Sequence, residues 1–310
     1  MEFRASICER LGLRLRYLAG VPHRQPRAHP PDRQAFTRPP RTDPQRQPTG
    51  PAPTRQSDSF AGVSWLSRFS QPRERVTGAP TSSNGASSFH LWWDVPGGPF
   101  QEVSAVLEIT RAPAVRKLYF WALQVSFVDR GRDLGAGHTG LQWHPGAPAG
   151  AVNWGGYHAG GGVLDGTGSD LPPVDGPHTR HIPWSPGRPY RFRVWSPSPG
   201  AWRSEVTDMA TGQATVIRDL LVPATGLASP VMWAEGFAAC DDPPTEARWS
   251  ELEARAGQAL TATSVHLTYQ SHADGGCANT LSYADGSSFV QATGLPAARA
   301  PGPDVLRLQT

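Results

Sequence analysis

The chain has 310 residues but a single lysine, Lys117, beside 28 arginines, and only three cysteines and three methionines. It has no uninterrupted apolar run of the length a membrane-spanning helix requires. The leucines near the start (Leu11, Leu13, Leu15, Leu18) are interrupted by Arg10, Arg14 and Arg16, so they do not form the apolar stretch of a secretory signal. The absence of C-x-x-C excludes zinc-ribbon and dithiol redox motifs. Also missing are G-x-S-x-G, a phosphate-binding P-loop and H-E-x-x-H. No period of 20 to 50 residues recurs, which excludes propellers and solenoids.

Charge divides the chain in two. Residues 1–83 carry 14 Arg against 6 acids, and the remainder carries 15 basic residues against 20 acids. The first segment is rich in Pro, Arg, Gln, Ser and Thr and poor in apolar periodicity, so it is expected to be disordered or to precede the true start. Its arginines stand singly between prolines rather than in a dense run, which is a poor design for a polyanion-binding arm. The domain expectation is a tail over 1–83, one folded domain over 84–295 and a flexible C-terminal tail over 296–310. A core of that size is ordinary for an all-β sandwich.

What is abundant is alternation. Period-two patterning predicts strands over 89–95, 103–110, 117–128, 139–144, 190–196, 201–208, 215–220, 231–237, 263–270 and 281–284, separated by Gly, Pro and Asp. In 190–196 the residues Tyr190, Phe192 and Val194 face one way, and Trp202, Ser204 and Val206 do the same after the SPSPG turn. That hairpin would let Arg191 or Arg193 pair across to Glu205. One segment, TEARWSELEARA over 245–256, has helical composition but suits a strand equally well. The fold class expected is an all-β, antiparallel β-sandwich.

The chemistry-bearing residues gather in two places. Gln124 lies on the 117–128 strand, His138, Gln142 and His144 share parity on the next, and Asn153, Trp154, Tyr157 and His158 follow in a Gly-rich stretch. A sugar needs a flat ring to stack on and rigid amides for its hydroxyls, so Gln124, Gln142, Asn153, Trp154 and Tyr157 are candidate ligand contacts. The bland alternative is that the rings are core and the amides bond loop backbone. The spacing of His138, His144 and His158 does not suit a shared metal. The second place is VMWAEGFAACDD, where alternation puts Glu235 between Trp233 and Phe237. Desolvation there would raise the carboxyl pKa, making Glu235 a candidate ligand contact and acid or base. A glycosidase would need a second carboxylate about 5–10 Å away, and no motif fixes one.

The loop over 165–175 supplies Asp165, Asp170 and Asp175, weak candidates for Ca²⁺ that lack the EF-hand pattern. Cys240 and Cys277 lie in polar, turn-like segments; a disulfide between them would close a 36-residue loop, about 4 kcal/mol of chain entropy. Such a bond would argue for an oxidising compartment.

The run LYFWALQVSF, the GLQ of TGLQWH, NWGGY, and WAEGFAACDDPP together resemble an uncharacterised bacterial family common in actinobacteria. The resemblance covers roughly 87–293. It implies a concanavalin-A-like or jelly-roll sandwich, often secreted or in the cell envelope, and carries no catalytic residue. Three readings therefore stand side by side. The first is a lectin-like carbohydrate-binding domain, with no nucleic acid expected on the folded part. The second is a glycan-acting hydrolase or lyase using Glu235, and the third a structural or interaction domain of the envelope. The missing nucleophile motifs lean the chain away from an enzyme.

Overall fold

The structure, a computed structural model, describes residues 74–300 and 302–309. Residues 1–73 of the tail expected over 1–83 lie outside the described residues. Among those described there is no helix. Sixteen strands follow in order: β1 (Ser87–Trp93), β2 (Glu102–Arg111), β3 (Tyr119–Asp129), β4 (Arg132–His144), β5 (Ala147–His158), β6 (Thr179–His181), β7 (Pro189–Ser198) and β8 (Ala201–Asp208). Then come β9 (Gln213–Leu221), β10 (Gly226–Gly236), β11 (Thr245–Ala256), β12 (Gln258–Thr261), β13 (Ser264–Tyr269), β14 (Leu281–Asp285), β15 (Ser288–Thr293) and β16 (Val305–Arg307). A front sheet runs β16-β13-β1-β10-β3-β4-β5-β6, and a back sheet runs β14-β15-β11-β2-β7-β8-β9 with β12 beside β11. Every pairing between them is antiparallel, so the chain is a β-sandwich as its alternation requires.

The core fills the space between the sheets. Trp121, Leu123, Val125 and Phe127 of β3 meet Trp154, Trp202, Phe192, Trp249 and Phe289, all essentially sealed from water. Within it the Phe127 ring meets Trp154 edge-on and Trp202 at a tilt, with centroids 6.3 and 5.8 Å apart. Gly137 makes room for this cluster, since a Cβ there would come within 2.7 Å of the Trp154 ring and 2.9 Å of the Phe127 ring. Each such aromatic removes 150–250 Å² from water on general grounds, so these rings dominate the stability.

Three local devices set the register. Arg130 and Gly131 both hold positive φ (49° and 80°), the conformation of a two-residue hairpin turn, and so fix β3 against β4. Pro230 sits in β10, a central strand, and is tolerated because the ladder shifts between Ala228 and Val231, with Ser229 at φ 47°. A similar shift in β11 spans Glu251, also at positive φ. The segment 245–256 is thus a strand: its Ala247 and Trp249 are core, while Glu246 and Arg248 stay partly exposed.

Several expectations need correction. Residues 296–310 do not form a flexible tail throughout, because β16 pairs with β13 as an edge strand of the front sheet. Packing also begins before residue 84. Arg75 donates to the Asp241 carbonyl (2.9 Å), the Gly78 N–H donates to the Asp241 carboxylate (2.8 Å), and Asn279 donates to the Val76 and Cys240 carbonyls. The arginines of β7 do not pair with Glu205. Arg193 reaches diagonally to Glu102 on β2, and Arg191 reaches across β2 to Glu251 on β11. The disulfide Cys240–Cys277 is formed. It ties together the two loops against which residues 75–82 lie.

Candidate functional site: the outer face of the front sheet

Paired residues in an antiparallel ladder project to the same side, so the register identifies what shares the face turned away from the core. Gln142, Phe120, Glu235 and Ser88 form one row across β4, β3, β10 and β1. Asn153, Gly140, Ala122, Trp233 and His90 form the next, and His138, Gln124, Val231 and Trp92 the third. Four of the six expected contacts, Gln124, Gln142, Asn153 and Glu235, are therefore brought together. Tyr157 lies on the same face further along β5, opposite Ala136.

Trp154 is not among them. Its indole is fully buried in the sandwich core and donates from Nε1 to the Trp202 carbonyl at 3.0 Å. One residue of register separates it from Asn153, and in a strand that is the difference between the two faces. The aromatic component of the face comes instead from Trp233, which alternation had placed beside Glu235, and from three residues it did not single out: His90, Trp92 and Phe120. Phe120, His138 and Trp233 form a triangle of edge-to-face rings with centroids 4.9–5.8 Å apart. The signal was present in β3, where Phe120 and Ala122 are as apolar as the core-facing residues between them. A strand apolar on both sides has both sides covered.

This face is apolar and polar at once, and its polar groups are not all satisfied. His138, Gln124, Gln142, Asn153 and Glu235 are each 4–7% exposed. Among the described residues His138 Nδ1, Gln142 Oε1, Asn153 Oδ1 and Trp233 Nε1 are sealed from water with no hydrogen-bond partner. Leaving such atoms unpaired ordinarily costs 1–3 kcal/mol each, so a cluster of four calls for an explanation. Asn153 Nδ2 donates to Thr179 Oγ1 at 3.2 Å.

Burial also decides the charges. The Glu235 carboxyl is pushed up to about 8 by desolvation, opposed only by a long hydrogen bond from Asn84 Nδ2 at 3.5 Å. His138 is lowered to about 3 by burial and by the nearby His178, and His90 to about 4 by burial. At neutral pH the face therefore holds a protonated carboxyl and neutral imidazoles, a set of hydrogen-bond donors and acceptors with no net charge.

The other candidates separate from this face. His144 lies beyond a register shift that follows Gln142, and pairs with Asp175 at 3.0 Å. Among the described residues no group of three or more His, Cys, Asp or Glu is placed to hold a metal, so Asp165, Asp170 and Asp175 do not converge on a Ca²⁺ ion. No helix among the described residues is long and apolar enough to cross a membrane.

No protein-family model matches the chain, and no curated protein does. Solved structures give loose overlaps. Scytalido-glutamic peptidase, crystallised with a peptide-based transition state analog, is 12% identical over 70% of this chain and 98% of its own, with a TM-score of 0.38. SCP-B of the eqolisin peptidase family, in complex with the tripeptide Ala-Ile-His, is also 12% identical over 70% and 98%, with a TM-score of 0.35. Peanut lectin with a nine-residue peptide is 13% identical over 71% and 82%, with a TM-score of 0.23. Overlaps this loose leave the reaction and the ligand to be argued from the site alone.

Proposed function

We propose that the outer face of the front sheet is the substrate site of a hydrolase in which Glu235 donates the proton. The observation that carries this reading is the meeting of a neutral, buried carboxyl with four unpartnered polar atoms on one face. A bound polar chain would satisfy those atoms. Glu235 and Gln142 occupy one row with β3 between them, about 10 Å apart at the backbone from the usual strand spacing. A scissile group lying across Phe120 would have a proton donor on one side and an amide acceptor on the other. Glu235 would protonate the carbonyl oxygen while Gln142 Oε1 accepts a hydrogen of the attacking water. The Glu235 carboxylate so formed would take the proton that the adding water releases and deliver it to the leaving nitrogen as the C–N bond breaks. It would regain its own proton from a hydroxyl of the collapsing intermediate.

The bond is better read as an amide than a glycoside. In the rows from Phe120 to Gln124 no other Asp or Glu accompanies Glu235, so the carboxylate pair of ordinary glycosidases is missing there. Carbohydrate binding without turnover is the second reading, favoured by the partly exposed Trp92 ring at the rim of the face. The disulfide supports an oxidising compartment for either.

The test uses the full chain with a library of internally quenched peptides and, in parallel, a reducing-sugar assay on plant, fungal and bacterial glycans. Peptide cleavage lost in Glu235→Gln and in Gln142→Leu, with both variants folded, is the expected result. Cleavage undiminished in Glu235→Gln would remove the acid role. Saturable glycan binding with no turnover of either class would establish the second reading.

A further inference from the structure

Two arginines lie in the seam between the sheet edges, the guanidinium of Arg218 reaching Pro177 and His178 just ahead of Arg180. Arg180 is on β6, the last strand of the front sheet, and Arg218 is on β9, the last strand of the back sheet. Arg180 pairs in register with Val152 and Arg218 with Ser204, both core residues, so both side chains turn inward between the edges. Arg180 is 8% and Arg218 4% exposed.

A buried guanidinium normally has a carboxylate beside it, because an uncompensated buried charge is strongly disfavoured. Neither of these has one. The acid next to Arg218 in sequence, Asp219, is held by Arg203 through two bonds of 2.8 and 3.0 Å, and the acid nearest Arg180 in sequence, Asp175, pairs with His144 at 3.0 Å. Arg218 donates to the Pro177 carbonyl and touches His178 Nδ1 at 3.4 Å. The loop backbone closes on it, since a Cβ on Gly166 would come within 2.1 Å of its Nη2. Arg180 makes no side-chain hydrogen bond to any described residue. The Nε atoms of both are sealed from water without a partner. Burial, and then the neighbouring Arg180 charge, hold Arg218 below its ordinary pKa.

We propose that this seam is an oxyanion site in which one carboxylate, phosphate or sulfate group is taken between Arg180 and Arg218. Such a group supplies the missing negative charge and the acceptors, and two planar guanidinium forks match its geometry. The site is distinct from the outer face and does not depend on the hydrolase reading. His178 connects the two places, because it touches Arg218 and packs over Gly155, while its charge bears on His138.

The experiment measures the unfolding midpoint and the calorimetric affinity of the full chain for sodium phosphate, sulfate and acetate, with chloride holding the ionic strength constant. At least one oxyanion is expected to bind saturably and to raise the midpoint. Phosphate or sulfate binding without acetate would assign the site to a phosphorylated or sulfated ligand, and acetate binding to a carboxylate. Arg180→Gln is expected to weaken binding about 10- to 100-fold, the loss of one charged hydrogen-bonding partner, with Arg180→Lys retaining part of it. Because Arg180 has no partner to abandon, Arg180→Gln without ligand should be at least as stable as the parent. Arg218→Gln should also lose binding, and if it does not fold, Arg180→Gln decides. An equal response to every anion including chloride, binding undiminished in Arg180→Gln, or a ligand-free Arg180→Gln much less stable than the parent would each overturn the proposal.

Discussion

Replacing Glu235 by Gln should change how stability depends on pH more than stability itself. The carboxyl has an ordinary value of 4.5 and is pushed up to about 8 by burial. Between those values the folded chain holds a proton that the unfolded chain has released, so each pH step upward favours unfolding. The penalty is absent below 4.5, is about 3 kcal/mol at pH 7, and approaches about 5 kcal/mol at pH 8, at 1.36 kcal/mol per pKa unit. His90 and His138 act in the opposite direction, since their lowered values mean that stability is lost as pH falls below 6.5 toward 4 and 3. The parent should therefore be most stable near pH 6.5. Gln keeps the shape and does not titrate, so the variant should lose the alkaline decline and keep the acid one. In a chain of this size about 3 kcal/mol corresponds to about 6–12 °C in unfolding midpoint. Midpoints of both proteins at pH 5, 6, 7 and 8 provide the measurement. A difference that widens in favour of the variant from pH 5 to pH 8 is expected. A constant difference, whatever its size, would show that Glu235 is already ionised in the folded chain, and the proton-donor role would fall with it.

Three further outcomes follow from the same geometry. Hydrolysis that needs the Glu235 proton should hold steady from about pH 5 to 7 and fall as pH rises through about 8, measured as kcat/KM on a cleaved peptide; a rate that climbs through pH 8 would contradict it. Trp154→Phe should destabilise by about 2–4 kcal/mol, from lost ring volume and an orphaned Trp202 carbonyl, yet leave ligand affinity unchanged in titrations well below the unfolding midpoint. Reduction of Cys240–Cys277, which lie 37 positions apart, should cost about 4 kcal/mol by the chain-entropy model and show as a lower denaturation midpoint in dithiothreitol; a midpoint insensitive to reductant would refute it.

How much of this was legible in the sequence depends on which physical rule each residue obeys. Alternation gave the sandwich, because a strand buried on one face writes its period of two directly into the chain. It also brought Gln124, Gln142 and Glu235 forward, since a polar residue in an otherwise apolar strand stands out. Alternation alone does not say which parity faces the core, and where both faces are covered it weakens. In YFWALQVSF Phe120 and Trp121 are both large and aromatic, one on the outer face and the other in the core. The same ambiguity in NWGG put Trp154 beside its neighbour Asn153 as a ligand contact, whereas the glycines around it decide otherwise. Gly137 leaves a space on the core side that only a large ring fills, so the indole goes inward and the amide outward. Register, set by the Arg130–Gly131 turn and the shift at Pro230, then does what no local pattern can. It lines up a carboxyl and an amide that are 93 positions apart in sequence on one row of one sheet. The buried arginines illustrate the converse. Arg180 and Arg218 look like two more of a plentiful surface residue, and only the closing of the sheet edges makes them a pair. A functional site in a β-sandwich is therefore found where the polar residues of well-patterned strands fall on a face that the fold also covers, because there each unpaired atom must be matched by a ligand or cost stability.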